Sequence, residues 1–238
     1  MNALTVEGAV SVMHAPVKAD RRERNMRAKH QRIMRTASAL FAERGFGGVT
    51  VQEIADGADV AAGTLFRYAS SKAELLLMVY NEQLQSAINS GTLAAAAIPD
   101  PVTAVYAMIA PVIDAAEQHP GNATAYQREL MFGDPGERYR AEGLALVDRL
   151  QDAVANVLVD RAGPPPHQVD VVLRSARRAA RSVFAVLHLL LAQPSTAADW
   201  GQDAQNELLA HVAQVIAGFY ATVPNSAGET QNTATDCQ

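Results

Sequence analysis

Two helix-start signatures, Thr50-Val51-Gln52-Glu53 and Ser71-Lys72-Ala73-Glu74, bracket a stretch of chain that has room for very little between them. In each, a hydroxyl can accept the N–H of the residue three on, while a glutamate reaches back to the cap. Val51, Ile54, Ala55 and Ala58 form one helical face after the first signature, and a second short helix is expected from about 61 to 68. Residues 50–69, TVQEIADGAD followed by VAAGTLFRYA, therefore supply a short helix, a tight turn and a second short helix. Ile54, Ala55, Val60 and Leu65 lock the pair, and the small Ala55 permits a close crossing. That is the sequence of a helix-turn-helix, whose second helix offers its exposed residues to the major groove of DNA.

Upstream, Ile33, Ala37, Leu40 and Phe41 share one helical face. The helix they mark ends at about Arg44, with Gly45 suited to the left-handed position and Phe46 placed to pack back. Downstream, after the helix begun at Ser71, proline and glycine breaks separate helices expected at about 101–118, 122–132, 137–161, 167–193 and 200–222. Aromatics are only 5% of the chain and no convincing alternating strand appears, so the fold class is all-α. The expected organisation is a disordered extension over 1–20, a three-helix helix-turn-helix domain over 21–72, a larger helical domain over 73–222 and a disordered tail over 223–238.

The net charge of −5 argues against a nucleic-acid partner, but its distribution argues for one. Residues 18–72 hold eleven basic and six acidic residues, net +5, which leaves −10 for the rest. A basic end on an acidic body suits a protein that meets a polyanion at that end only. The alternative is a solvated basic tail. The single cysteine, Cys237, precludes an intrachain disulfide or a cysteine-based metal site, and no metal or cofactor is expected. No secretory signal or membrane-spanning stretch is read, so a cytoplasmic location is expected.

The segment IMRTASALFAERGFGGVTVQEIADGADVAAGTLFRYASSKAELLLMVY resembles the N-terminal domain of the tetracycline-repressor (TetR) family, through LFAERGF, the T-V-x-x-I-A start, G-T-L-F-R-Y and S-K-x-E-L. The resemblance implies a transcriptional regulator, usually a repressor, that binds a palindromic operator as a homodimer and is released by a small-molecule effector. It implies that Thr50 caps the second helix and touches a phosphate, and that Gln52 reads a base edge. Ala62, Gly63 and Thr64 open the recognition helix, with Phe66 and Arg67 following, while Tyr68 and Lys72 meet phosphates. Arg21, Arg22 and Arg24 form an arm over the backbone or minor groove. Three positions depart from the family pattern: Asp59 where glycine is preferred, Ala69 in place of an aromatic, and Phe66 without a hydroxyl. Of these residues Leu65 reads as core, Phe66 as core or contact, and Thr50 as a cap with or without DNA.

The same resemblance implies dimerisation through the last two long helices, about 167–193 and 200–222. Val183, Phe184, Leu187, Leu190 and Leu191 on the first, and Leu208, Leu209, Val212, Val215, Ile216 and Phe219 on the second, are shared between core and partner. Met108, Tyr126, Met131 and Phe132, on the two helices that the resemblance implies line an effector pocket, are candidates for it, although each such residue is more often plain core. Arg174, Arg177, Arg178 and Arg181 share a face that His188 continues. Asp148 and Asp152 are plausible ion-pair partners for it, and an anion site at Arg178 and His188 is the sharper alternative. Trp200 is read as a packing anchor. Three other functions compete. An enzyme lacks any phosphate loop, HExxH or G-x-S-x-G, leaving only a conceivable meeting of Glu129 with His188. A DNA-binding regulator controlled by a protein partner differs only in its trigger. A membrane-surface role fails for want of a broad apolar face on the basic helix.

Overall fold

A computed structural model describes residues 17–192 and 204–223, with backbone alone over 17–20. The expectations for 1–16 and 224–238, for Trp200 and for Cys237 lie outside the described residues. Among the described residues every regular element is helical: α1 (Val17–Arg44), α2 (Val51–Gly57), α3 (Ala62–Leu65), α4 (Lys72–Ala95), α5 (Pro101–Gln118), α6 (Pro120–Phe132), α7 (Arg138–Ala162), a 3-10 turn (Pro166–Gln168), α8 (Val169–Leu191) and α9 (Ala204–Thr222).

The local signals that end α1 and start α2 act as their chemistry dictates. Gly45 takes φ +71° and its N–H donates to the Phe41 carbonyl at 2.9 Å, while the Phe46 ring settles 5.9 Å from that of Phe41. Thr50 closes a full capping box: its hydroxyl accepts the Glu53 N–H at 3.2 Å, and Glu53 accepts the Thr50 N–H at 2.8 Å. The second signature closes only by half. Ser71 accepts the Glu74 N–H at 2.9 Å, but the buried Glu74 carboxylate turns to the N–H groups of Ser70 and, at 3.1 Å, Arg138. A second helix start, that of α7, thus shares the glutamate with that of α4.

Several boundaries differ from the pattern-based ones, and α1 is already helical from Val17, within the extension expected to be disordered to residue 20. α6 begins at Pro120 rather than 122, because proline at the first helical position gives up only an N–H that would be unpaired anyway. The helix expected over 61–68 is regular only over Ala62–Leu65. Beyond it the N–H groups of Arg67 and Tyr68 bond three residues back, to Thr64 at 3.1 Å and Leu65 at 2.8 Å, which tightens the chain into turns.

Packing forms two cores. The lower one joins Ile33 and Phe41 of α1, Ile54 of α2 and Leu65 to the first two turns of α4, Leu75 to Tyr80. It also takes in Tyr126, Leu130, Tyr139 and Val147 from α6 and α7. The upper one gathers Ile88, Met108, Ile109, Ile113, Leu158, Val183, Leu187, Val212 and Ile216. α4 is the shared strut, buried nearly all round at its start. Farther along, Gly91 brings it so close to α5 that an added Cβ would sit 2.2 Å from the Met108 carbonyl oxygen. The corner that follows α4 is pinned by Arg161, whose guanidinium donates to the carbonyls of Ala95, Ile98 and Pro99.

Candidate nucleic-acid interface

The short helix α3 and the exposed N-terminal half of α1 face each other across a cleft of about 480 Å³, lined by Arg21, Arg22, Asn25, Met26, Lys29, Thr64, Arg67 and Tyr68. Arg21, Arg22 and Arg67 are exposed, so positive charge from two separate parts of the chain converges on one surface. Arg24 is exposed on the same helix but outside that lining. Gly63 is exposed and an added Cβ there would meet nothing within 4 Å, while Ala62 and Thr64 are half-buried. Phe66 is 49% exposed, so it is not a core residue. Thr50 and Gln52 are exposed on α2, the first donating to Glu53 at 2.7 Å and the second to Asp56 at 2.7 Å.

Two residues assigned to phosphates already have intramolecular partners. The Lys72 ammonium donates to the carbonyls of Phe46 at 2.8 Å and Val49 at 2.9 Å, and lies 4.4 Å from the Phe46 ring centroid. Two of its three donors are therefore spent on holding the α1–α2 loop against α4. Tyr68 donates to the Met26 carbonyl at 3.4 Å and its ring stands 5.9 Å from that of His30. Asp59, at the turn, adopts the left-handed φ of 52° that glycine would take most easily. Arg32 of α1 donates to its carbonyl at 3.2 Å and stands 3.8 Å from its carboxylate, so a cation from α1 meets the charge there. The Thr50 hydroxyl and backbone, together with Arg44, stabilise the Glu53 anion and lower its pKa to about 2.

The body reaches this unit through polar contacts that carry no motif. Asn122, buried at the start of α6, donates to the Phe41 carbonyl and accepts the Phe46 N–H, both at 2.7 Å. It therefore clamps the end of α1. A second line runs from Tyr126, whose hydroxyl donates to Asn81 at 2.8 Å; Asn81 donates to the Tyr139 carbonyl at 2.8 Å, and the Tyr139 hydroxyl lies 3.3 Å from His30 Nε2. A third joins Glu137 to Ser71, whose hydroxyl donates at 2.8 Å. Sequence reasoning missed Arg32, Asn81, Asn122 and Tyr139. For Asn81, Asn122 and Tyr139 the one visible signal is an amide or hydroxyl among apolar neighbours on a helix, and Arg32 carries none.

A cavity of about 70 Å³ lies in the body between α4, α5, α6, α7 and α8. Of the six expected pocket residues only Tyr126 lines it. Met108 is fully buried in the upper core, because its backbone abuts Gly91. Phe132 ends α6 at 84% exposure, Met131 is half-buried outside the lining, and Arg178 is exposed. His188 is half-buried and stacked 6.0 Å from Phe184, with burial lowering its pKa. On the arginine face of α8, Arg177 reaches Asp152 at 3.3 Å in the exposed ion pair expected of that stripe. The apolar residues named for the last two helices fall largely inside one chain. Val183, Leu187 and Leu190 of α8 and Leu208, Val212, Ile216 and Phe219 of α9 are core. The outward side of α9 shows Ala210, Gln214, Ala217 and Gly218. Among the described residues no helix is long and apolar enough to cross a membrane.

Residues 33–79 match the model for bacterial regulatory proteins of the tetR family. The HTH-type transcriptional repressor KstR2 of Mycobacterium tuberculosis is 37% identical over 57 residues, which is 24% of this chain and 28% of that relative. Two crystal structures share the fold. A TetR-family transcriptional repressor from Thermus thermophilus, FadR in complex with lauroyl-CoA, is 22% identical and covers 83% of this chain and 97% of its own, with a TM-score of 0.61. A TetR transcriptional regulator from Rhodococcus sp. RHA1 is 20% identical and covers 84% and 99%, with a TM-score of 0.54.

Proposed function

From a chain whose N-terminal segment is of the tetR family of bacterial regulatory proteins, we infer a cytoplasmic transcriptional repressor, not an enzyme, that binds a palindromic operator as a homodimer and leaves it when a small molecule binds the body. The observation that carries this reading is the cleft between α1 and α3, where Arg21, Arg22, Lys29 and Arg67 surround Thr64 and Tyr68. Cations close to a short exposed helix are what a phosphate-flanked major groove requires. Residues 21–72 form the DNA-binding part and 73–222 the effector-binding and dimerising part. Arg67, Gln52 and the small surface of Ala62, Gly63 and Thr64 face bases, with Phe66 beside them. Arg21, Arg22, Arg24, Thr50 and Tyr68 hold the backbone, and Lys72 offers its remaining donor.

Effector control rests on α6. One side of it, Ala123, Tyr126, Gln127 and Leu130, lines the cavity, and the residue before Ala123 is the Asn122 clamp on α1. A ligand that displaces α6 therefore alters the pose of the helix-turn-helix and shifts the population away from the DNA-binding state. That the Thermus thermophilus neighbour holds lauroyl-CoA supports a ligand site in a body of this fold.

The test is a titration of the full chain against its own promoter-flanking DNA at several salt concentrations, beside Arg67→Ala and Arg21→Ala. Salt-sensitive preference for a palindromic fragment is expected. Arg67→Ala should cost about 1–3 kcal/mol and relax base preference, whereas Arg21→Ala should lower the salt slope by about one without changing preference. Equal affinity for random DNA would overturn the operator reading.

A further inference from the structure

The cavity beneath α6 carries its own chemical signature. Its lining contains no charged side chain; Tyr80, Gln83, Tyr126 and Gln127 are polar and the remainder are aliphatic residues and Phe184. The Tyr126 hydroxyl is engaged with Asn81. The Gln127 Oε1, by contrast, is buried and has no hydrogen-bond partner among the described residues. An amide oxygen can only accept, and an acceptor buried in apolar surroundings without a donor is a standing cost that a ligand can remove.

Resting on the reading of this chain as an effector-released regulator, we propose that its effector is a neutral, mainly apolar small molecule with one hydrogen-bond donor, which it gives to Gln127 Oε1. A carboxylate or phosphate in this cavity would lose its hydration with no cation to meet it, since the arginines of α8 are exposed and outside the lining. Size adds a second property. An apolar cavity of about 150 Å³ is known to admit benzene, and this one is about 70 Å³. A ring-sized ligand enters only by widening it. α6 contributes four residues of the wall and carries Asn122, so the widening is felt at the Phe41 and Phe46 backbone.

The experiment compares ring pairs that differ only in a donor: pyrrole against furan, and indole against benzofuran, with benzoate as the charged probe. Binding to the full chain is read by calorimetry, and operator release by the anisotropy of labelled promoter DNA. The N–H member of at least one pair is expected to bind about tenfold more tightly, the worth of one neutral hydrogen bond. Gln127→Leu, provided it melts as cooperatively as the wild type, is expected to abolish that preference, and benzoate to bind neither. The wild-type comparison stands even where the variant does not fold. Equal binding within both pairs, no binding by any ring, or tighter binding of benzoate overturns the proposal. Preferential binding without release of DNA leaves the Gln127 chemistry standing and removes the release mechanism; release without preference does the reverse.

Discussion

At the scale of single residues, the side chains that fix the helix-turn-helix are mostly not those proposed to meet DNA. Asn122 satisfies one carbonyl and one N–H at the end of α1. Asn122→Ala leaves the Phe46 N–H without its acceptor and the Phe41 carbonyl with the Gly45 N–H alone, and is expected to cost about 1–2 kcal/mol, read from urea unfolding. The same variant should respond less to effector, because α6 loses its grip on α1. Glu53 gives a pH prediction. Its folded pKa of about 2 lies below the ordinary 4.5, so its contribution is complete above 4.5 and is lost as pH falls toward 2. The group is exposed, so the effect is modest and salt-screened. In a circular-dichroism acid titration Glu53→Gln should show less change between pH 5 and about 2 than the wild type; identical curves would remove the capping box as its source. Asp59 was legible only as a position where the family pattern prefers glycine, and it takes the left-handed φ that aspartate tolerates better than most residues. Its partner Arg32 was not legible, because no short-range pattern links positions 27 residues apart.

At the scale of elements, hydrophobic period and caps located every helix that the described residues contain, and missed where two elements compete for one group. The Glu74 carboxylate serves α7 as well as α4, which a pattern confined to four residues cannot express. The helix over 61–68 shortened mainly at its far end, where the N–H groups of Arg67 and Tyr68 bond three residues back rather than four. Close approach at Gly91 was equally invisible, since only the α4–α5 geometry shows that a methyl group there meets the Met108 backbone. Gly91→Ala is expected to force the pair apart, costing about 1–3 kcal/mol and lowering the melting temperature by several degrees. An unchanged melting temperature would mean that the helices separate freely.

At the scale of the whole molecule, the basic–acidic division could be read from the chain, whereas the cavity could not. Its walls come from five helices, and Met108 and Phe132, named for it because the resemblance pointed to their two helices, end one in the core and the other in solvent. The dimer proposal also changes in detail. With the large apolar residues of α9 turned inward, the proposed contact with a second copy moves to the small residues Ala217 and Gly218 of α9, where helices can approach closely, and to α8, where Val171 and Leu189 are exposed. An added Cβ at Gly218 meets nothing within 4 Å. Gly218→Glu is therefore expected to leave the single chain folded but halve the mass seen by sedimentation and weaken operator binding by at least tenfold. A stable dimer in that variant would move the interface elsewhere.

The first turns of α4 belong to the same core as the helix-turn-helix, and that core is completed by Tyr126, Leu130, Tyr139 and Val147. A chimera cut after residue 72 would therefore carry the DNA-contacting surface without the side chains that bury its underside. Transplanting this specificity onto another body requires either bringing α4 with α6 and α7, or rebuilding on the host the cover that they provide.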